Sequence, residues 1–112
     1  MEEIQRINSI EKLEEILQTE IAVLLYFNTT SCNVGESLEP KVKNLLNSNF
    51  PKIKFYTIDL NFSPEIAATY NAFVEPTIIV FFEGKETIRK SRNIGIYELQ
   101  EAIERPYHLI FE

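Results

Sequence analysis

Residues 21–27 form an unbroken apolar run, and this run constrains the fold more than any other part of the sequence. Seven residues are far too few for a membrane-spanning helix, which needs about 20, so the run is predicted to be a strand. A strand without polar side chains has to be covered on both faces, as in parallel sheets with helices above and below. The run therefore predicts an α/β protein with helices on both faces of a central sheet.

The other periodicities and helix-start signals place further elements along the chain. Asn8 or Ser9 is suited to cap a first amphipathic helix. Ser63 followed by Pro64 is typical of another helix start, because proline is favoured at the first helical position. The full prediction is a short edge strand at 4–7, strands at 21–27, 53–58, 77–82 and 87–91, and helices from 10, at 32–46, at 64–70 and at 96–104.

The order of these elements predicts the connectivity of the sheet. Strands separated by helices pair in parallel through crossovers, whereas the hairpin at 77–91 adds antiparallel strands, so a mixed sheet is expected. Pro40 is predicted to kink the second helix, and the last helix is predicted to end near Pro106. We therefore expect one domain at 1–105 and an apolar tail at 106–112, which packs back on the domain or contacts a partner or a second copy.

The charge balance argues against two classes of partner. The chain has 112 residues with 11 Lys and Arg and 17 Asp and Glu, a net charge of −6 at pH 7. Nucleic acids and anionic membranes are bound through an excess of cations, so neither is predicted as a partner. The first residues also lack the basic and apolar segments of a secretion signal, and we expect a cytoplasmic protein.

Cys32 is the single cysteine of the sequence. A single thiol excludes an intramolecular disulfide and a zinc site built from several thiolates, and no metal or cofactor is predicted. Cys32 stands where the strand at 21–27 gives way to the helix at 32–46. The dipole at the start of a helix favours a thiolate and lowers the pKa of the thiol from its reference of about 8.5.

Several short motifs, taken together, resemble the thioredoxin family. A strand ending in Phe27 leads into the turn 31–35, Ser-Cys-Asn-Val-Gly, which is similar to the family's Trp-Cys-Gly-Pro-Cys turn. Pro40 matches the family's helix-kinking proline, Pro76 its cis-proline before a strand, and Gly84 its hairpin glycine. The resemblance covers roughly residues 4–103 and implies a thioredoxin-like fold, with a central mixed β-sheet flanked by helices on both faces.

The sequence departs from the family where the chemistry would take place. Gly35 stands at the position of the second, resolving cysteine, so a mixed disulfide formed at Cys32 has no internal thiol to release it. Tyr26 and Thr57 stand where family members carry a buried aspartate and often a lysine, and neither accepts a proton from a thiol at neutral pH. A self-contained dithiol–disulfide oxidoreductase is therefore excluded.

The resemblance implies a substrate groove around Cys32, the residue predicted to be catalytic. Glu36 and Glu75 oppose thiolate formation, so the net effect on its pKa is left open. Arg92 falls where the family usually has a glycine, and it is expected either to pair with Glu75 or to fill the groove. The residues predicted to bind substrate are Asn33, Val34, Glu75, Pro76 and Arg92.

Two functional hypotheses follow, with a third that the motif does not favour. In the first, Cys32 forms mixed disulfides with a protein or a low-molecular-weight thiol in redox homeostasis, and an external thiol resolves them. In the second, the protein is a redox-inactive adaptor that binds a protein through the cis-proline groove or the tail at 106–112. A monothiol glutaredoxin holding an iron–sulfur cluster is the third, but the sequence after Cys32 lacks that family's Gly-Phe-Ser.

Overall fold

Residues 22–27 of the apolar run, with Asn28, form the central strand of a five-stranded sheet, and every residue of this strand is buried. Ile21, the first residue of the run, precedes the strand and is exposed. The computed structural model describes the backbone of residues 5–29 and 33–111 and the side chains of residues 6–29 and 37–111. The strands are β1 Gln5–Arg6, β2 Ala22–Asn28, β3 Lys54–Asp59, β4 Thr77–Phe82 and β5 Lys85–Ser91. The helices are α1 Ile10–Thr19, α2 Asn33–Asn49, α3 Pro64–Tyr70 and α4 Ile96–Phe111.

The sheet is mixed, as the element order predicted. Its strand order is β1-β3-β2-β4-β5. β3 pairs in parallel with both β1 and β2, whereas β4 pairs antiparallel with β2 and β5. The parallel pairs are joined by helical crossovers and the antiparallel pair β4–β5 by a tight hairpin, which is how these two kinds of pairing are usually connected.

Two hydrophobic cores cover the two faces of the sheet. Alternate side chains of a strand point to opposite faces. Leu24 and Tyr26 of β2 therefore belong to the core that α2 and α4 cover, and Leu25 and Phe27 to the core that α1 and α3 cover. The fold-class prediction, an α/β sheet flanked by helices on both faces, is confirmed.

Local signals set several of the element boundaries. The α1 cap is Ser9 rather than Asn8, and its Oγ accepts a hydrogen bond of 3.2 Å from the backbone N–H of Lys12. The bounds of α3 and β4 are those predicted. α2 continues through Pro40 and ends at Asn49, three residues beyond the predicted end. None of the described helices is long and apolar enough to cross a bilayer.

The predicted end of the last helix is wrong, because residues 106–111 of the predicted tail belong to that helix and pack back on the domain through Tyr107. α4 continues through Pro106 to Phe111, and only residue 112 lies outside the described part of the chain. The ring of Tyr107 is buried edge-on against Phe50, with 5.0 Å between ring centroids. The backbone N–H of Lys52 donates to the Tyr107 hydroxyl at 3.2 Å. The stabilisation from these contacts with the segment after α2 exceeds the free-energy cost of the backbone hydrogen bond that Pro106 removes from the interior of α4.

We predict that Tyr107→Ala lowers the free energy of unfolding by about 3–5 kcal/mol, because it empties a buried aromatic site. Leu109→Ala is the matched control in the same helical turns; Leu109 is 74% exposed and its truncation is expected to change stability by less than about 0.5 kcal/mol. Urea unfolding of both variants measures the difference. Equal, small effects would contradict the docking of the last turns of α4.

Candidate functional site

The predicted catalytic turn lies at the end of the central strand, just before α2. β2 ends at Asn28, whose register partner on β3 is Asp59, and α2 begins at Asn33. Cys32 itself lies outside the described residues, as do the side chains of Asn33 and Val34. The other predicted site residues that the structure describes lie on the loop before β4 and on the turn after β5, and this turn shares a groove with α2.

A cis peptide bond and two hydrogen bonds shape the loop that contains Glu75 and Pro76. The peptide bond between these two residues is cis. The Thr77 hydroxyl donates to the carbonyl of Val74, which closes the loop at the start of β4. The backbone N–H of Arg92 donates to the carbonyl of Pro76 at 2.9 Å. The hydrogen bond from Arg92 ties the turn after β5 to this loop, so Pro76 and Arg92, both predicted to bind substrate, are neighbours.

Arg89 anchors the other end of the same loop. Its guanidinium donates to the carbonyls of Tyr70, at 2.7 Å, and Asn71, at 3.3 Å, where α3 ends. It also forms an ion pair of 2.8 Å with Glu86. The hydrogen bond from Arg89 lowers the pKa of the Glu86 carboxyl. The contribution of this pair to the stability of the fold is therefore present at neutral pH and is lost on acidification. Because both side chains are partly exposed, the pair is worth less than about 1 kcal/mol.

Arg92 adopts the left-handed backbone conformation, with φ of 61°, at a position where the family usually has glycine. Its side chain is exposed and makes no ion pair with Glu75, which is also exposed. Of the two expectations for Arg92, pairing with Glu75 is therefore not observed. The side chain instead lines a groove on the α2 side of the turn.

This groove, of about 490 Å³, separates α2 from the connection between β5 and α4. Of the residues that line this groove, only Arg92 was predicted from the sequence to bind substrate. The spacing of residues 33, 37 and 41 by four was a signal for the α2 side of the groove, because residues four apart share one helical face. The groove is lined by Ser37, Leu38, Lys41, Arg92, Asn93, Ile94, Gly95 and Glu98.

A second, smaller cleft of about 50 Å³ lies where β2 and β3 end. Tyr26 and Thr57 are register partners and both line it, so the two positions that depart from the family are brought together. Asp59, which sequence analysis missed, is a buried carboxylate on the same cleft and accepts a hydrogen bond of 2.8 Å from the Asn61 N–H. Its signal in the sequence is an acidic residue closing an otherwise buried strand. Among the described residues, no group of three or more His, Asp or Glu is arranged to hold a metal.

Comparison with known proteins decides the family. The thioredoxin family model matches residues 5–105 of this chain. The chain belongs to the thioredoxin family. Among curated proteins of that family, the thioredoxin-like protein YdfQ of Bacillus subtilis is 25% identical over 109 residues, covering 97% of this chain and 96% of its own. The thioredoxin of Mycoplasma genitalium is 29% identical over 101 residues, covering 90% of this chain and 95% of its own.

Solved thioredoxin structures share the same fold. Thioredoxin of Fasciola hepatica superposes with a TM-score of 0.77 at 26% identity, covering 91% of this chain and 98% of its own. Oxidised mitochondrial thioredoxin 3 of Saccharomyces cerevisiae superposes with a TM-score of 0.81 at 18% identity, covering 90% and 93%. At the lower identity the likeness establishes the fold alone. The thioredoxin fold is thus retained in a chain with a single cysteine.

We predict that Arg92→Gly raises the free energy of unfolding by up to about 1 kcal/mol. A left-handed conformation costs an L-residue roughly 1–2 kcal/mol, and glycine adopts it freely at a smaller entropic cost. Arg105→Gly, in the interior of α4, is the control with the same change in side chain, and it should destabilise by about 1 kcal/mol. Chemical denaturation of both variants tests this, and a destabilised Arg92→Gly would show that the arginine side chain holds the turn.

Proposed function

We propose that this thioredoxin-family protein carries out monothiol thiol–disulfide exchange at Cys32. The Cys32 thiolate attacks one sulfur of a disulfide, forms a mixed disulfide with that half and releases the other half as a thiolate. Because the sequence contains no second cysteine, an external thiol has to attack the mixed disulfide and regenerate Cys32. The partner is a protein or a low-molecular-weight thiol.

The single observation that carries this proposal is the position of the only cysteine directly before α2, a helix of 17 residues. The unsatisfied N–H groups and the dipole of a helix start favour negative charge. A cysteine at such a position is activated because the thiolate, rather than the thiol, is the nucleophile. Lys41 and Arg92, in the groove beside the first turns of α2, add positive charge to these surroundings.

The expected result with oxidised glutathione is a single glutathionyl adduct at Cys32. Intact-mass spectrometry of the native protein measures its formation, and added dithiothreitol should remove it completely. Cys32→Ser should acquire no adduct, since it removes the only nucleophilic sulfur. The absence of an adduct on the native protein under conditions that modify the urea-unfolded protein would contradict the proposal.

A redox-inactive adaptor is the second candidate, and two exposed aromatic side chains favour it. Phe62, before α3, is 74% exposed, and Phe73, beside the loop containing Glu75, is 68% exposed. Large exposed apolar side chains often mark protein contacts. Capture of a partner from the source cell that is undiminished in Cys32→Ser but lost in Phe73→Ala would favour the adaptor over the exchange reaction.

A further inference from the structure

Resting on exchange at Cys32, we propose that the groove beside α2 selects partners that carry carboxylates close to their sulfur. The two cations of the groove, Lys41 and Arg92, would receive those carboxylates. The ligand class is therefore an anionic thiol or disulfide, supplied either by a small molecule or by an acidic peptide segment.

The α2 wall of the groove belongs to the helix that begins directly after Cys32 in the chain. Positions 33, 37 and 41 lie one helical turn apart, so the groove follows the face that begins at the first residue of α2. Lys41 lies about 12 Å along the helix from Asn33. Long side chains on a helix lean towards its N-terminus, so the Lys41 ammonium is carried towards the end at which Cys32 is attached.

The opposite wall places Arg92 beside the other substrate-binding positions. Thr77 and Ser91 are register partners at the ends of β4 and β5, which brings Arg92 level with the loop before β4. The hydrogen bond from its backbone N–H to the Pro76 carbonyl fixes this position. A molecule bound between Arg92 and Lys41 therefore spans the space between the loop containing Glu75 and the α2 wall.

The charges of the groove leave both cations available. Neither Lys41 nor Arg92 forms an ion pair with any side chain that the structure describes. Glu98 is the acidic residue among those lining the groove, and its Oε1 is only 2.8 Å from where a Cβ on Gly95 would lie. Its carboxylate is thus turned back onto the start of α4, where a helix dipole favours negative charge. In a chain of net charge −6, two cations that share a groove and form no ion pair with a described side chain favour an anionic ligand.

The reaction itself is the same exchange for every partner. Cys32 thiolate and a disulfide give a mixed disulfide and one released thiolate, with no net oxidation or reduction of the pair. Selection therefore acts on the approach of the disulfide, through attraction between its carboxylates and the two cations. Such attraction between exposed charges is modest and is screened by salt.

The test compares exchange rates at Cys32 with disulfides of different charge. Glutathione disulfide is anionic, bis(2-hydroxyethyl) disulfide is neutral and cystamine is cationic. We expect Lys41→Gln and Arg92→Gln each to lower the ratio of rate constants for glutathione disulfide over cystamine by about fivefold, since each charge removed changes both rates in opposite directions. Lys85→Gln, at the far end of β5, is the matched control and should leave the ratio within about twofold of the native value.

The outcomes separate this inference from the proposed function. Reaction with all three disulfides and an unchanged ratio in both groove variants would overturn the charge selection and leave exchange at Cys32 intact. No reaction with any disulfide, the neutral one included, would overturn the proposed function and this inference with it. A pair of peptide disulfides flanked by glutamates or by lysines distinguishes the source. If Lys41→Gln and Arg92→Gln also lower the ratio of rate constants for the glutamate-flanked over the lysine-flanked peptide, the groove accepts acidic protein segments. If they lower only the ratio for glutathione disulfide over cystamine, the groove is specific for small thiols.

Discussion

The burial of β2 on both faces is the constraint on which the rest of the structure depends. Its alternate side chains enter two separate cores, so α2 and α4 are needed on one face and α1 and α3 on the other. The parallel crossover that supplies α2 has to begin where β2 ends, and this places the start of α2 at the edge where β3 also ends. Cys32 is the residue directly before α2 in the sequence. The packing of the central strand therefore decides which edge of the sheet the helix after Cys32 starts from.

On this scaffold the chain keeps the fold of the family, but its sequence departs from the family's motif at the predicted site. Gly35 removes the resolving thiol, and Tyr26 and Thr57 occupy the positions of ionisable residues on the strands below. Arg92 introduces a cation at a backbone conformation that glycine adopts more easily. The left-handed conformation of an L-residue costs conformational free energy, and residues in such conformations cluster at functional sites. These replacements are the basis of our proposal that the protein captures a partner through one sulfur and relies on an external thiol for release.

Local signals predicted most of the fold because local chemistry decides those elements. The Ser63 and Pro64 pair set the start of α3, and a run of β-branched and aromatic residues set β4, which is buried throughout. The end of α4 could not be predicted in this way, because Pro106 signals a helix end, whereas the contacts of Tyr107 with Phe50 come from a distant part of the chain. Lys41 was missed for the same reason, since it lines one groove with Arg92 only after α2 and the turn after β5 have packed on the sheet.

The rate of Cys32 alkylation by iodoacetamide in the native protein, followed from pH 4 to 10, tests the central claim most directly. We expect fast modification with a midpoint below about 8, because we propose that the start of α2 and the groove cations stabilise the thiolate against the opposing charges of Glu36 and Glu75. A midpoint above about 9, or modification only after unfolding in urea, would show that Cys32 is no nucleophile. The thioredoxin fold would then serve as a binding scaffold.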